Sequence, residues 1–144
     1  MALQLYECSW SHAQELTLNI VANYTDVGGL TPLHRAARIA NTDLVQDLMQ
    51  LRADPNAATY VSRSPGGDTP LQCFAEADQT NMGPDDVRTC TSMFLEGMDH
   101  TAVCPRTTQA ATVFHMAVAR GNIPFLEEFS RNCDPQVCAI VCRR

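Results

Sequence analysis

Two histidines in this sequence, His34 and His115, each follow a threonine by three residues. Histidine often serves as the base that activates a cysteine or serine nucleophile. That base must lie within hydrogen-bond reach of the nucleophile and be oriented by a third group. No spacing between these histidines and the cysteines of the chain indicates such a pair. We therefore predict no catalytic residue.

Three cysteines near the end of the sequence, Cys133, Cys138 and Cys142, are the candidate ligands of a metal ion. Zinc sites usually contain two close pairs of the CxxC type, whereas four and three residues separate these cysteines. Cys138 and Cys142 are equally well spaced to share one buried helix face, where cysteine behaves as a small apolar residue. We predict no cofactor and no metal, and we keep a thiol or metal-binding role for these cysteines as the alternative function.

Glycine pairs and acidic pairs also occur, but their surroundings suggest no chemistry. Neither glycine pair, at 28–29 or at 66–67, is followed by the Gly-Lys-Ser/Thr sequence of a phosphate-binding loop. The acidic pairs at 85–86 and 127–128 lie near predicted helix ends or on solvated faces. They are not placed for acid–base catalysis.

Length and composition limit the class of protein. The chain has 144 residues, a net charge of −6 and 45% hydrophobic residues, which suits one globular domain. A negative charge argues against nonspecific nucleic-acid binding, which needs a concentrated basic face. No apolar run approaches the roughly 20 residues that span a bilayer, and the first residues lack the features of a signal peptide. We predict a cytoplasmic or nuclear location and no membrane contact.

The elements that position these residues are clearest between Asp26 and Ala57. Thr31 can cap a helix with its hydroxyl, and Pro32 suits the first helical position because its missing N–H costs nothing there. Leu33 and the alanines after it give a short helix with one narrow apolar face. A second helix is predicted from an apolar stripe formed by Leu44, Val45, Leu48 and Met49.

This block resembles an ankyrin repeat. The resemblance rests on a glycine turn, the Thr-Pro-Leu-His motif at 31–34, the alanine pair at 36–37 and the closing Ala-Asp-Pro-Asn at 53–56. The block departs from the family at Ala40 and Arg52, where glycine is usual. Similar but weaker starts occur at Thr69 and Thr112.

The resemblance implies an all-α ankyrin-repeat solenoid, with helix pairs and β-hairpin-like fingers. The second repeat is degenerate, because Gln72 replaces the motif histidine and Phe74 replaces a small residue. We expect weaker packing there. We predict one domain, 1–144, divided into an N-terminal cap at 1–25, repeats at 26–57, 58–102 and 103–135, and a C-terminal cap at 136–144. The cap helix is predicted to use one apolar face, formed by Ala13, Leu16, Thr17, Ile20 and Val21.

The resemblance also gives the motif residues structural roles. Each histidine is expected to bond the threonine three residues earlier and a backbone group of the adjoining turn. The residues assigned to this framework are Thr31, His34, Thr69, Thr112 and His115.

The family implies a non-enzymatic module that binds another protein, as an adaptor or as an inhibitor of the I-kappa-B-like kind. Partners usually lie in the concave groove between the finger tips and the inner helices. The groove positions implied here include Val27 and Ile39, and the loops 58–68 and 78–84 are predicted to be mobile and to contact the partner. We expect a monomer. The partner-binding residues predicted are Arg38, Tyr60, Arg63, Asp68, Glu76, Arg106, Gln109 and Arg120.

Overall fold

A computed structural model of the chain describes residues 13–60, 67–97 and 109–132, and for 109–112 it describes the backbone alone. These residues form helices and connecting turns with no β-strand among them, so the predicted all-α class is confirmed. The helices are α1 (13–22), α2 (Pro32–Arg38), α3 (Thr42–Gln50), α4 (Pro70–Glu76), α5 (Pro84–Gly97), α6 (Gln109–Arg120) and α7 (Ile123–Asn132).

The helices after α1 form two layers. Helices α2, α4 and α6 pack against one another in chain order and make the inner layer. Helices α3, α5 and α7 pack in the same order and make the outer layer. Each outer helix follows its inner partner along the chain. Because both layers pack in chain order, each helix pair contacts the next pair.

The first two inner helices begin in the same way. The Thr31 side chain accepts a hydrogen bond from the His34 backbone N–H, and Thr69 does the same for Gln72. In both cases the side chain of the third helical residue accepts a hydrogen bond from the backbone N–H of the capping residue, which completes a capping box. A proline stands at the first helical position of each, as the sequence predicts.

The third inner helix does not begin at the predicted residue. Helix α6 starts at Gln109, so Thr112 lies inside the helix rather than at its cap. Val113 stands where the other two repeats have proline, and Ala110 and Ala111 are strong helix formers. Nothing in the sequence stops the helix from extending backward by a turn.

Two turns between helices have matching geometry in the first and third repeats. Ala40 adopts φ 53° and Gly121 adopts φ 66°, both in the left-handed region. Each donates its N–H to a carbonyl three residues back. The asparagine that follows each of them, Asn41 or Asn122, then caps the outer helix with its side chain. Ala40 and Arg52, the two departures from the family glycines, both keep the glycine-like conformation, with φ 53° and 61°.

The similar turns at Ala40 and Gly121 predict opposite changes in stability for two substitutions. Left-handed backbone costs a non-glycine residue about 1 kcal/mol. Ala40→Gly is therefore expected to raise the free energy of unfolding by about 0.5–1 kcal/mol. Gly121→Ala is expected to lower it by about as much, because a Cβ at Gly121 meets no atom within 4 Å. Urea denaturation of both variants tests this, and shifts of the same sign would contradict it.

The core centres on the second repeat, which reverses the expectation of weak packing there. Phe74 is fully buried, with its ring centroid 5.7 Å from that of Phe94 and 6.2 Å from that of Phe125. Phe129 extends the cluster by stacking on Phe125 at 5.9 Å. Phe74 fills the space between the two layers because its ring reaches Phe94 on α5 and Phe125 on α7.

The predicted apolar face of α1 does not face the first repeat. Leu16, Ile20 and Val21 are exposed. The contacts come instead from Ala22, which is buried in the core outside the predicted face, and from two asparagines. Asn19 donates to the Leu51 carbonyl at 3.1 Å, and Asn23 bonds the Arg52 carbonyl and the Asp54 N–H. These bonds satisfy backbone groups beyond the end of α3. The two asparagines and the buried Ala22, rather than the predicted apolar stripe, therefore dock the helix.

The loop at 78–84 is tied to the helix layers, which argues against the mobility predicted for it. Gln79 donates from its side chain to the Phe74 carbonyl at 2.6 Å and accepts from the Asn122 side chain. Asp78 accepts from the Thr80 N–H at 3.1 Å. The loop therefore connects the second repeat to the turn of the third.

Candidate protein-interaction surface

The first finger is a tight turn built around Asp26. Its carboxylate accepts from the backbone N–H groups of Gly28 and Leu30, both at 2.9 Å, and pairs with Arg35 at 3.0 Å. These bonds, that from Leu30 above all, lower the pKa of Asp26 below its usual value. The turn holds Val27 at its tip with a fully exposed side chain.

The second finger is joined to the first through the backbone. At its base the Thr59 N–H donates to the Asp68 carbonyl at 3.1 Å, and the Asp68 N–H donates to the Thr59 hydroxyl at 2.9 Å. The Tyr60 N–H then donates to the Gly28 carbonyl at 2.8 Å. Gly29, at φ 81°, lets the Tyr60 ring lie against the first finger, since a Cβ there would stand 2.9 Å from the ring.

His34 links the first inner helix to the second finger. Its Nδ1 lies 3.1 Å from the Thr31 backbone N–H and 2.8 Å from the Thr31 hydroxyl, and its Nε2 lies 2.9 Å from the Asp68 carbonyl. A backbone N–H can only donate, so Nδ1 accepts and the neutral ring carries its proton on Nε2. Burial lowers the pKa of His34, which favours this neutral form.

Gln72 takes the place of this histidine in the second repeat but completes only half of the arrangement. Its Oε1 accepts from the Thr69 N–H at 2.7 Å. Its Nε2 is buried and has no hydrogen-bond partner within the described ranges. Ala111, which corresponds to Asp68 in the next repeat, lies inside α6, so its backbone belongs to the helix rather than to a finger.

Cys73 is a buried thiol on the inner layer. Burial is the main cause that raises the pKa of Cys73 to about 11, and the charges of Asp68 and Glu76 raise it further while Arg38 opposes them. Three predicted binding residues therefore influence the pKa of one buried thiol. The thiol is protonated at neutral pH, which makes it a poor nucleophile.

The other residues predicted from the sequence do not lie together in the structure. Arg120 is exposed at the end of α6, within electrostatic reach of Asp78. With Gln79 and Asn122 it lines a cleft of about 320 Å³ between the second and third repeats. His115 is exposed on α6, so it does not have the buried place that His34 has. Arg63, Arg106 and the side chain of Gln109 lie outside the described residues.

Two residues of this surface were not singled out from the sequence. The pKa of Cys73 is influenced by the charges of Arg38, Asp68 and Glu76, and that of Asp78 by Arg120. The position of Cys73 one turn before Glu76 was a usable signal, since residues three apart share a helix face. Asp78 lies in an insertion that has no counterpart in the first repeat, so the family pattern could not place it.

Metal chemistry finds no support in the part of the chain that is described. No group of three potential ligands comes together there, and Cys73 and Cys90 are buried free thiols. Cys133, Cys138 and Cys142 lie outside the described residues, so the thiol or metal alternative remains a prediction.

The described helix pairs, stacked in two layers, are consistent with the all-α fold of an ankyrin repeat. The family model named Ankyrin repeat matches residues 28–60, and this segment of the chain is an ankyrin repeat. No curated protein and no solved structure matches the chain. Among the described helices, none is long and apolar enough to cross a membrane.

Proposed function

We propose that this chain is a non-enzymatic interaction module that binds another protein on its concave surface. The concave surface is defined here as the two finger turns together with the exposed side of the inner helices. Arg38, Tyr60, Asp68, Glu76 and Arg120 lie on it, and Arg63, Arg106 and Gln109 are assigned to it from the sequence.

The observation that carries this proposal is the placement of Tyr60. Its side chain is 76% exposed, yet its backbone is fixed to the first finger by the bond to Gly28. An exposed aromatic residue on a fixed backbone loses little conformational freedom when a partner covers it. Tyrosine and arginine are the residues most enriched at binding hot spots.

The distribution of ion pairs supports the same surface. In the outer layer Arg88 pairs with Glu127 at 2.8 Å, and Arg131 pairs with Glu128 at 3.6 Å. On the concave surface Arg35 pairs with Asp26 at 3.0 Å, whereas Arg38, Asp68 and Glu76 form no ion pair with any described residue. Their charges are therefore available to a partner.

The proposed module acts in the cytoplasm or nucleus, either as an adaptor or as an inhibitor that covers its partner's surface. An I-kappa-B-like mode of inhibition is one form of this proposal. We infer that the chain meets its partner as a monomer, without nucleic acid or membrane.

A double substitution tests the surface. Immobilised protein would capture partners from its native cell, and each purified partner would then be titrated by calorimetry. The variant Arg38→Ala/Tyr60→Ala is expected to weaken binding by at least about tenfold, as hot-spot truncations do.

The matched control is Leu44→Ala/Arg131→Ala, which removes one apolar residue and one arginine from the outer layer. This control is expected to bind within about twofold of wild type. Equal losses for both variants, with both still folded by circular dichroism, would contradict the proposal.

A further inference from the structure

A cleft lies where the second helix pair meets the third, and an insertion makes one of its walls. The connection from inner to outer helix is 39–41 in the first repeat and 121–122 in the third, but 77–83 in the second. This longer connection lines one side of the cleft, and the turn after α6 lines the other. The cleft has a volume of about 320 Å³. Loops that a rigid scaffold holds in place often carry binding residues.

Hydrogen bonds fix the two walls relative to each other. The Gln79 side chain donates to the Phe74 carbonyl at 2.6 Å and accepts from the Asn122 side chain. Asn122 in turn accepts from the Phe125 N–H at 3.3 Å, at the start of α7. Gln79 and Asn122 both line the cleft, so these bonds hold its shape before any partner binds. A site that is already formed loses little conformational freedom on binding.

Apolar side chains make up much of the lining. Val87 is buried, and Met82 and Pro124 are half-buried. Ile123 stands in the sequence between two residues that line the cleft, and its side chain is 63% exposed. A large apolar side chain of a partner would remove this surface from water, which is the main favourable contribution to most protein association.

The two charged residues that line the cleft are Asp78 and Arg120, and they differ in what they have free. The Asp78 carboxylate already accepts from the Thr80 backbone N–H at 3.1 Å. Arg120, the last residue of α6, is exposed and forms no hydrogen bond or ion pair with any described residue. A guanidinium has five N–H donors, arranged so that two of them bind both oxygens of a carboxylate. The unused donors of the cleft therefore fit an acidic group.

We propose that this cleft binds a partner segment in which an aspartate or glutamate stands next to a large apolar residue. The carboxylate pairs with Arg120, and the apolar side chain packs against Met82 and Pro124. The inference rests on the proposed function and adds a second contact area, which no residue of the two finger turns lines, together with its chemistry. Charge complementarity of this kind selects the partner more than it raises the affinity.

A phage-displayed library of random twelve-residue peptides provides the probe. Full-length wild type, Arg120→Gln and Arg131→Gln would each be used to select peptides, followed by deep sequencing. Arg131→Gln is the matched control, because Arg131 also lies in the last turn of a helix but outside the cleft. Wild type and the control are expected to enrich an acidic residue next to a large apolar one at least about threefold. Arg120→Gln is expected to lose the acidic enrichment and keep the apolar one.

The acid in the cleft gives a second readout, of opposite sign. A selected peptide would be titrated into each variant by calorimetry. Arg120→Gln is expected to weaken its binding at least about threefold. Asp78→Asn keeps an oxygen that can accept from Thr80 but removes a like charge from the cleft, so it is expected to strengthen binding about twofold. Both effects should shrink as salt rises. Weaker binding by Asp78→Asn would indicate a basic group in the cleft and would contradict the inference.

Blocking the cleft separates this inference from the proposed function. Thr80 is exposed and lines the cleft, so Thr80→Trp is expected to obstruct it and to abolish peptide binding. Peptides that bind Thr80→Trp as tightly as wild type, equal acidic enrichment by Arg120→Gln, or no selected peptide at all would overturn the inference. The proposed function would then stand or fail separately, on whether Arg38→Ala/Tyr60→Ala loses the captured partner.

Discussion

Replacing Phe74 by alanine is expected to lower the free energy of unfolding by about 3–5 kcal/mol. The side chain is fully buried, and its ring contacts those of Phe94 and Phe125 in two different outer helices. Alanine removes the apolar contacts and leaves a cavity between layers, which close-packed neighbours fill only in part. Urea denaturation followed by circular dichroism measures the loss.

Two further variants keep this prediction testable if Phe74→Ala does not fold. Phe74→Leu retains most of the volume and is expected to cost less than about 2 kcal/mol. Phe114→Ala removes a half-buried ring from α6 and is expected to cost less than half as much as Phe74→Ala. A larger loss for Phe114→Ala would show that the second repeat is not the centre of the core.

Replacing His34 by alanine is expected to cost about 2–4 kcal/mol. The substitution removes the bond to the Asp68 carbonyl and leaves the buried Thr31 N–H without its acceptor. His115→Ala is the matched control, because His115 is the same residue type at the corresponding place but is exposed. It is expected to change stability by less than about 0.5 kcal/mol, and similar costs for the two variants would contradict the different roles.

The same histidine is expected to make stability depend on pH. Burial lowers the pKa of His34 in the folded protein below its ordinary value of 6.5, so the unfolded chain binds the proton first. The stabilisation is complete above pH 6.5 and falls as the pH drops toward the folded pKa. Denaturation at several pH values should show this fall in wild type and a smaller one in His34→Ala. An unchanged pH dependence would contradict the buried neutral state.

The first repeat could be predicted from its sequence because its signals are local. Thr31 and Pro32 define the start of α2 by capping and by a fixed φ, and these effects depend on neighbouring residues alone. The glycine-like conformation at Ala40 was not evident from residue type. It became visible only through the hydrogen bonds of the turn, which match those at Gly121.

The misplaced elements depend on tertiary contacts. The apolar stripe of α1 was expected to be buried, but periodicity does not specify which element a face packs against. Ala22 and two asparagines dock the helix instead. Phe74 was judged against the small residues of the family pattern, whereas its packing depends on aromatic residues up to 51 positions away. The start of α6 depends on the absence of a stop signal, which a motif alignment to Thr112 could not show.

The binding surface could be predicted only in outline. Its family positions gave Arg38, Tyr60, Asp68 and Glu76, but the backbone bonds that join Tyr60 to the first finger and Thr59 to Asp68 depend on how the second finger folds.

Hydrogen exchange of the chain with and without its purified partner tests the central claim most directly. We predict that binding slows exchange in the two fingers and the second inner helix, at 27–30, 57–60 and 67–76, and leaves the outer helices α3, α5 and α7 unchanged. Protection confined to the outer helices, with the fingers exchanging as in the free protein, would contradict binding on the concave surface.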